Sequence, residues 1–198
     1  MIFYGFDPGG KDAFGWAAMR VSASGHADQI KTGLARDARS AIRRAYDAVE
    51  KPPNGAGVDA PLFWVSNGDR HADATVRKSV CVNGGKGGTV GHVNSLRGAC
   101  LVQGALVAHE LATQWPEIPV TEAHPKALLH VWSLLTEFLH EYLPAPNSEH
   151  ERDALIAAYS AWAHSERWAG WEDLAGNEPE PFFPGGQPVA YWFPKSVT

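Results

Sequence analysis

Three observations predict a mixed α/β fold. Three strand-like segments follow one another at the start of the chain, helical periods then alternate with short apolar strands, and no repeat or heptad interrupts the pattern. The order reads β-β-β-α-β-(insertion)-α-β-α-α, as expected of a mixed sheet covered by helices.

Ile2–Asp7 is an apolar run of strand formers that delivers one carboxylate, Asp7, into the turn Pro8-Gly9-Gly10. Ala13–Val21 reads as a second strand and, after a turn at Ser22–Gly25, Gln29–Leu34 as a third. Short turns between consecutive strands point to an antiparallel meander. Apolar residues at Ala38, Ala41, Ile42, Ala45, Ala48 and Val49, with Arg39, Arg43, Arg44 and Asp47 facing away, have helical spacing. Pro52, Pro53 and Gly55 end that helix, and Gly57–Leu62 reads as a short buried strand whose functional end is Asp59. Phe63–Asn94 shows no clean period and holds Asn83-Gly-Gly-Lys-Gly-Gly-Thr89, so a Gly-rich basic insertion is expected at about 63–94 within a single domain over 1–198.

Ser95–Trp115 returns to a helical pattern, and Ile118–Ala123 is a strand running into His124-Pro125. Lys126–Leu143 reads as one amphipathic helix stopped by Pro144 and Pro146. Ser148 with Glu151 forms a capping box for a last helix reaching about Trp168. From about residue 170 the chain is a Pro- and Trp-rich extension in which Val189–Phe193 can add a small terminal strand.

The 198 residues can bury a sizeable core, and 44% hydrophobic with 20% charged residues is ordinary for a globular protein. A net charge of −5 argues against a protein that coats nucleic acid non-specifically. The charge is uneven, however: Trp64–Arg97 carries five cations against two acids, or +3, leaving −8 for the remainder. Cys81 and Cys100 are the only cysteines and form no CxxC, so reduced thiols are expected rather than a disulfide framework. The N-terminus lacks a cationic leader and Asp7 interrupts its apolar run, so neither a signal peptide nor a membrane span is expected, and a cytoplasmic location is.

The acids carry the chemistry. Asp7 alone is explained equally well by turn capping. Asp59, in Gly57-Val-Asp-Ala-Pro-Leu62, is harder to explain structurally, because a strand-end carboxylate among apolar residues needs a metal, an arginine or several N–H donors. Asp153 lies at the edge of an apolar stripe formed by Ala154, Leu155, Ala158, Ala161 and Trp162, with His150 one turn earlier on the same side. The small residues Ala154, Ala157 and Ala158 let this helix approach a sheet closely and bring Asp153 to the strand ends. Glu122, at the end of the Ile118–Ala123 strand, is a fourth candidate and is preferred to His124. Three carboxylates drawn from distant segments are the usual means of holding Mg²⁺ or Mn²⁺ beside a phosphodiester.

Gly84–Thr89 is not a phosphate loop, because Lys86 is followed by Gly87 rather than Ser or Thr. It reads as a flexible basic loop, in which Arg70, Arg77, Lys78 and Lys86 can contact a phosphate backbone. No G-x-S-x-G elbow surrounds any serine, so nucleophilic catalysis has no support.

Gly5-Phe-Asp-Pro-Gly9 resembles the opening strand of RuvC-type Holliday-junction resolvases, and His150-x-x-Asp153 followed by Ala-Leu-x-Ala-Ala looks like their last metal-binding helix. The chain is still more similar to a poorly characterised family of predicted nucleases with a ribonuclease H fold. The matching segments are Asp7, Asp59–Leu62, Glu122–Lys126 and Asp153–Ala158, in order over residues 1 to about 165. The resemblance implies a five-stranded mixed sheet, its first three strands antiparallel, with helices on both faces. The resolvases usually carry Glu where this chain has Asp59, and they act as dimers on branched DNA.

The expected activity is a two-metal nuclease acting on DNA or RNA. Asp7 would bridge two Mg²⁺ or Mn²⁺ ions roughly 3.5–4 Å apart, Asp59 and Asp153 would each hold one, and Glu122 or His150 would complete a shell. Lys86, Arg70, Arg77, Lys78 and Lys126 would bind substrate. Rival expectations are a non-catalytic nucleic-acid binder, an actin-like phosphotransferase for which 198 residues are too few, and an interaction protein using Trp162, Trp168, Trp171 and Trp192.

Overall fold

The structure is a computed structural model that describes residues 1–10, 12–63, 65, 70–91, 98–143, 145, 148–179, 181 and 183–195, the side chains of 98 and 99 excepted. Trp64, Asp69, the expected helix start at residues 95–97, and Pro144 and Pro146 lie outside the described residues. Strands β1 (Ile2–Asp7), β2 (Phe14–Val21) and β3 (Ala27–Ala35) form the antiparallel meander. Helix α1 (Ala38–Val49) follows, its start fixed by Asp37 accepting from Ser40 N–H at 2.8 Å, and β4 (Gly55–Val58) then pairs parallel to β1.

Helix α2 (His71–Val82) stands where no period is legible. Its buried positions are Ala72, Asp73, Val76, Ser79 and Val80, so the inward stripe has helical spacing, but two of its residues are polar. Helix α3 (Gly98–Gln114) and the short strand β5 (Val120–Glu122) follow. The helix expected over Lys126–Leu143 is two helices, α4 (Pro125–Val131) and α5 (Ser133–Tyr142). They part at Trp132, which takes extended backbone, donates its indole N–H to the Tyr159 hydroxyl at 3.0 Å and packs edge-on to Trp171. Helix α6 (Glu149–Ser165) is capped by Ser148, which accepts from Glu151 N–H at 3.2 Å.

The sheet has seven strands rather than the five expected. Its order is β3-β2-β1-β4-β5-β7-β6, with β6 (Trp171–Asp173) and β7 (Ala190–Pro194) added beyond β5. The first five strands, β1–β3 antiparallel and β4 and β5 parallel to β1, keep the expected mixed arrangement. The two extra strands come from the segment read as an extension. Its register is fixed by the Asp173 carboxylate, which accepts from the N–H groups of Ala175 and Tyr191 at 3.1 and 2.9 Å. No helix among the described residues is long and apolar enough to cross a membrane.

Pleating decides what faces what. Paired residues of neighbouring strands point to the same face, and faces alternate along each strand. Gly5 pairs with Gly57, and α6 lies directly on that row: a Cβ at Gly5 would collide with the Ala154 carbonyl, and one at Gly57 with the Ala157 carbonyl. A Cβ at Gly15, which pairs with Asp7, would strike the His150 carbonyl. Bare backbone on the sheet and alanine on the helix thus bring α6 closer than ordinary side chains permit. On the opposite face Tyr4 and Phe6 pack towards Phe14 and Trp115, under α1 and α3.

Candidate active site

Asp7 and Asp59 occupy equivalent places one step beyond the glycine row. Each is two residues past its glycine, Gly5 or Gly57, and therefore faces α6. Asp59 N–H donates to the Phe6 carbonyl at 2.8 Å, so the parallel ladder continues past β4 and sets the two acids side by side. On the helix, the residue over Gly15 is His150, and the one over Gly5 is Ala154. This seating puts His150 Nδ1 2.5 Å from Asp7 Oδ2 and turns Asp153 towards the same strand ends. The structure thus gathers Asp7, Asp59, Asp153 and His150.

The electrostatics match an acid cluster lacking enough positive charge. Burial raises the Asp7 carboxyl to about 6; His150 and Lys126 oppose the shift, while Asp153 adds to it. Asp59 is pushed to about 8, first by burial and then by Asp7 and Asp153. Asp153 is also raised by burial, against an ion pair with Arg152 whose Nη2 lies 2.6 Å from Oδ1. Among the described residues no donor hydrogen-bonds the Asp59 carboxylate. The three carboxylates do not close within 4.8 Å of one another as a single-ion cage would. Cys100 sits at the rim, its Sγ 3.9 Å from the Asp59 carbonyl, and burial beside these acids pushes its thiol up to about 12, which leaves it inert.

Glu122 stands apart, and the pleat is the reason. It pairs with Val58, which pairs with Phe6, so it points to the face opposite Asp7 and Asp59. There its carboxylate is fully buried and engaged on every side. It accepts from Arg70 at 2.6 and 2.7 Å and from Leu62 N–H at 2.9 Å, and His124 Nε2 lies 2.7 Å away. Burial alone would raise its pKa, but Arg70 and His124 hold it well below the usual carboxylate range.

Arg70, expected on a basic surface, is instead wholly buried. It forks onto Asp73 at 2.6 and 2.8 Å and lies 4.4 Å over the Phe63 ring. Asp73, Glu122 and His124 each bring a ligand atom within 4.8 Å of the others, yet the Arg70 guanidinium bonds both carboxylates, so a cation already fills the position an ion would take.

The remaining cations are separate. Lys78 and Lys86 are exposed on α2 and the turn after it, and Arg77 is half-buried on α2. Lys126, at the start of α4, acts on Asp7, Asp59 and Asp153 and pairs with Glu149 at 3.7 Å. Sequence reasoning missed Asp73 and Arg152. The spacing Arg70-x-x-Asp73 suits an i,i+3 pair and was the available signal for the first. Arg152 adjoins Asp153 in sequence, a spacing that carries no such signal.

No family model and no curated protein matches the chain. Among solved structures the chain is distantly similar to T. thermophilus RuvC in complex with Holliday junction substrate, at 20% identity and a TM-score of 0.39, over 84% of this chain and 96% of that one.

Proposed function

We propose that the chain is a metal-dependent nuclease whose working carboxylates are Asp7, Asp59 and Asp153. The observation that carries the reading is the convergence of these acids on one face, with burial and mutual repulsion raising Asp59 to about 8 and no described donor satisfying it. A half-buried carboxylate in that condition is a site short of a cation. Hard carboxylate oxygens fit Mg²⁺ or Mn²⁺, and Asp7, Asp59 and Asp153 are the residues that would hold them.

Bound divalent ions would supply a water nucleophile at neutral pH and charge stabilisation at the phosphorus. The chain's own residues do the rest. Asp7, Asp59 and Asp153 would hold the ions, and His150, bonded to Asp7, would fix which oxygen faces the cleft. Glu122 acts as a positioning residue, because its bond to Leu62 N–H anchors the segment that follows Asp59. Lys126 faces the acids and, with Lys78 and Lys86 on the exposed α2 side, is assigned to the phosphate backbone of DNA or RNA.

The test is cleavage of single-stranded, duplex, hybrid and four-way-junction substrates with Mn²⁺, with Asp7→Asn run in parallel. Wild-type cleavage that the variant and a chelator both abolish is the expected result. Equal cleavage by Asp7→Asn in a nuclease-free preparation would sink the assignment. Binding of nucleic acid without cleavage, unchanged by chelator, would replace it with a binding module.

A further inference from the structure

We infer that the groove between α5 and the C-terminal half of α6 binds an arginine side chain presented by a partner polypeptide. The groove has a volume of about 500 Å³ and is walled by the rings of Phe138, Tyr142, Tyr159, Trp162 and Trp168. Tyr159 and Trp168 stand 5.1 Å apart and nearly perpendicular, and Trp162 meets Trp168 at 4.9 Å. Two carboxylates, Glu137 and Glu141, line it one helical turn apart on α5, and no lysine or arginine among the described residues does. Trp162 is nine residues beyond Asp153, about 14 Å along the helix, so the groove is distinct from the carboxylate site. The β2–β3 turn residues Gly25 and His26 close it at the end of the sheet opposite Asp7.

The protein itself shows what such a combination holds. Arg70 lies over the rings of Phe63 and Tyr191 with Asp73 and Glu122 at its edge, and Arg167 lies over Trp192. Rings for stacking and a carboxylate for paired N–H donation are the complement of a guanidinium rather than of a compact, strongly hydrated ammonium. In the α5–α6 groove the same components stand together, and no arginine of the described chain lies over those rings. The groove is open, and Leu134 at its lip is 53% exposed, which offers apolar contact to residues flanking the inserted arginine.

The experiment titrates the full chain with an acetylated, amidated Gly/Ser peptide carrying two arginines, read by tryptophan fluorescence and calorimetry. Saturable binding is expected, weakened about tenfold in the double variant Glu137→Gln/Glu141→Gln and unchanged in Asp7→Asn. Glu137 and Glu141 are exposed, so that variant keeps its fold, which circular dichroism checks. Trp162→Leu is expected to weaken binding as well, without altering the carboxylate site. Absence of saturable binding, equal affinity for the lysine version of the peptide, or equal affinity in the double glutamine variant would each overturn the assignment. Equally tight binding of free guanidinium would overturn the polypeptide as its source.

Discussion

Replacing Asp59 by Asn should stabilise the metal-free protein, and the gain should grow with pH. In the folded state Asp59 holds its proton up to about 8, whereas in the unfolded chain it gives it up near 3.8. Between those values the folded state binds more protons, so this group's contribution to stability is full below about 4 and is lost as pH rises through about 8. At ~1.4 kcal/mol per pH unit the full shift sets a ceiling of about 6 kcal/mol. Asp59 is half-buried rather than sealed, and solvent around its carboxyl reduces the realised penalty to about 2 kcal/mol. For a chain of this length that is a rise in Tm of about 4–8 °C. The assay is thermal unfolding of chelator-treated wild type and Asp59→Asn at pH 4 and pH 8. Asparagine mimics the protonated acid, so the two should melt nearly together at pH 4 and separate at pH 8. Added Mn²⁺ should raise the wild-type Tm alone. An Asp59→Asn protein that melts at or below the wild-type temperature at pH 8 would refute the reasoning.

Two further substitutions test the scaffold. Gly57→Ala forces a methyl into the Ala157 carbonyl and should cost about 3 kcal/mol in urea unfolding. Gly10→Ala meets open space and should be near neutral, and a neutral Gly57→Ala would contradict the seating of α6. Arg70→Met strands Asp73 and Glu122 in the interior and should cost about 3–5 kcal/mol. Adding Glu122→Gln should recover part of that loss, and a single variant as stable as wild type would contradict the buried network.

What was legible in the sequence was whatever has a local cause. β1 and α1 begin and end where the strand run and the 38–49 periodicity place them, and Ser148 caps α6 as its spacing with Glu151 predicts. The alanines of α6 signalled close packing, although the glycines that receive them were not read as partners. Helix α2 escaped because its inward stripe includes the polar Asp73 and Ser79, and Asp73 is held inside through an Arg70 network completed by Glu122 from a distant strand. The break at Trp132 is likewise set by Tyr159 and Trp171, which no local pattern around 132 contains.

The carboxylates divide in the same way. Asp7 and Asp59 could be singled out because each sits at a strand end after an apolar run, and Asp153 because it lies at the edge of an apolar helical stripe. The separation of Glu122 from them rests on strand register: a strand-end position does not tell which face of the sheet a side chain takes. Arg70 illustrates the same limit, because a basic residue in an aperiodic stretch looks like surface until Asp73 and Glu122 are found around it.

The central claim is that Asp7, Asp59 and Asp153 together hold divalent metal, and calorimetric titration of the folded protein with Mn²⁺ at pH 7 tests it most directly. Two buffers of different protonation heat would be compared. The account predicts saturable binding with release of protons, because Asp59 must ionise to become a ligand, and it predicts that Asp7→Asn loses both signals. Failure of folded wild type to bind Mn²⁺, or the same binding and proton release in Asp7→Asn, would contradict it.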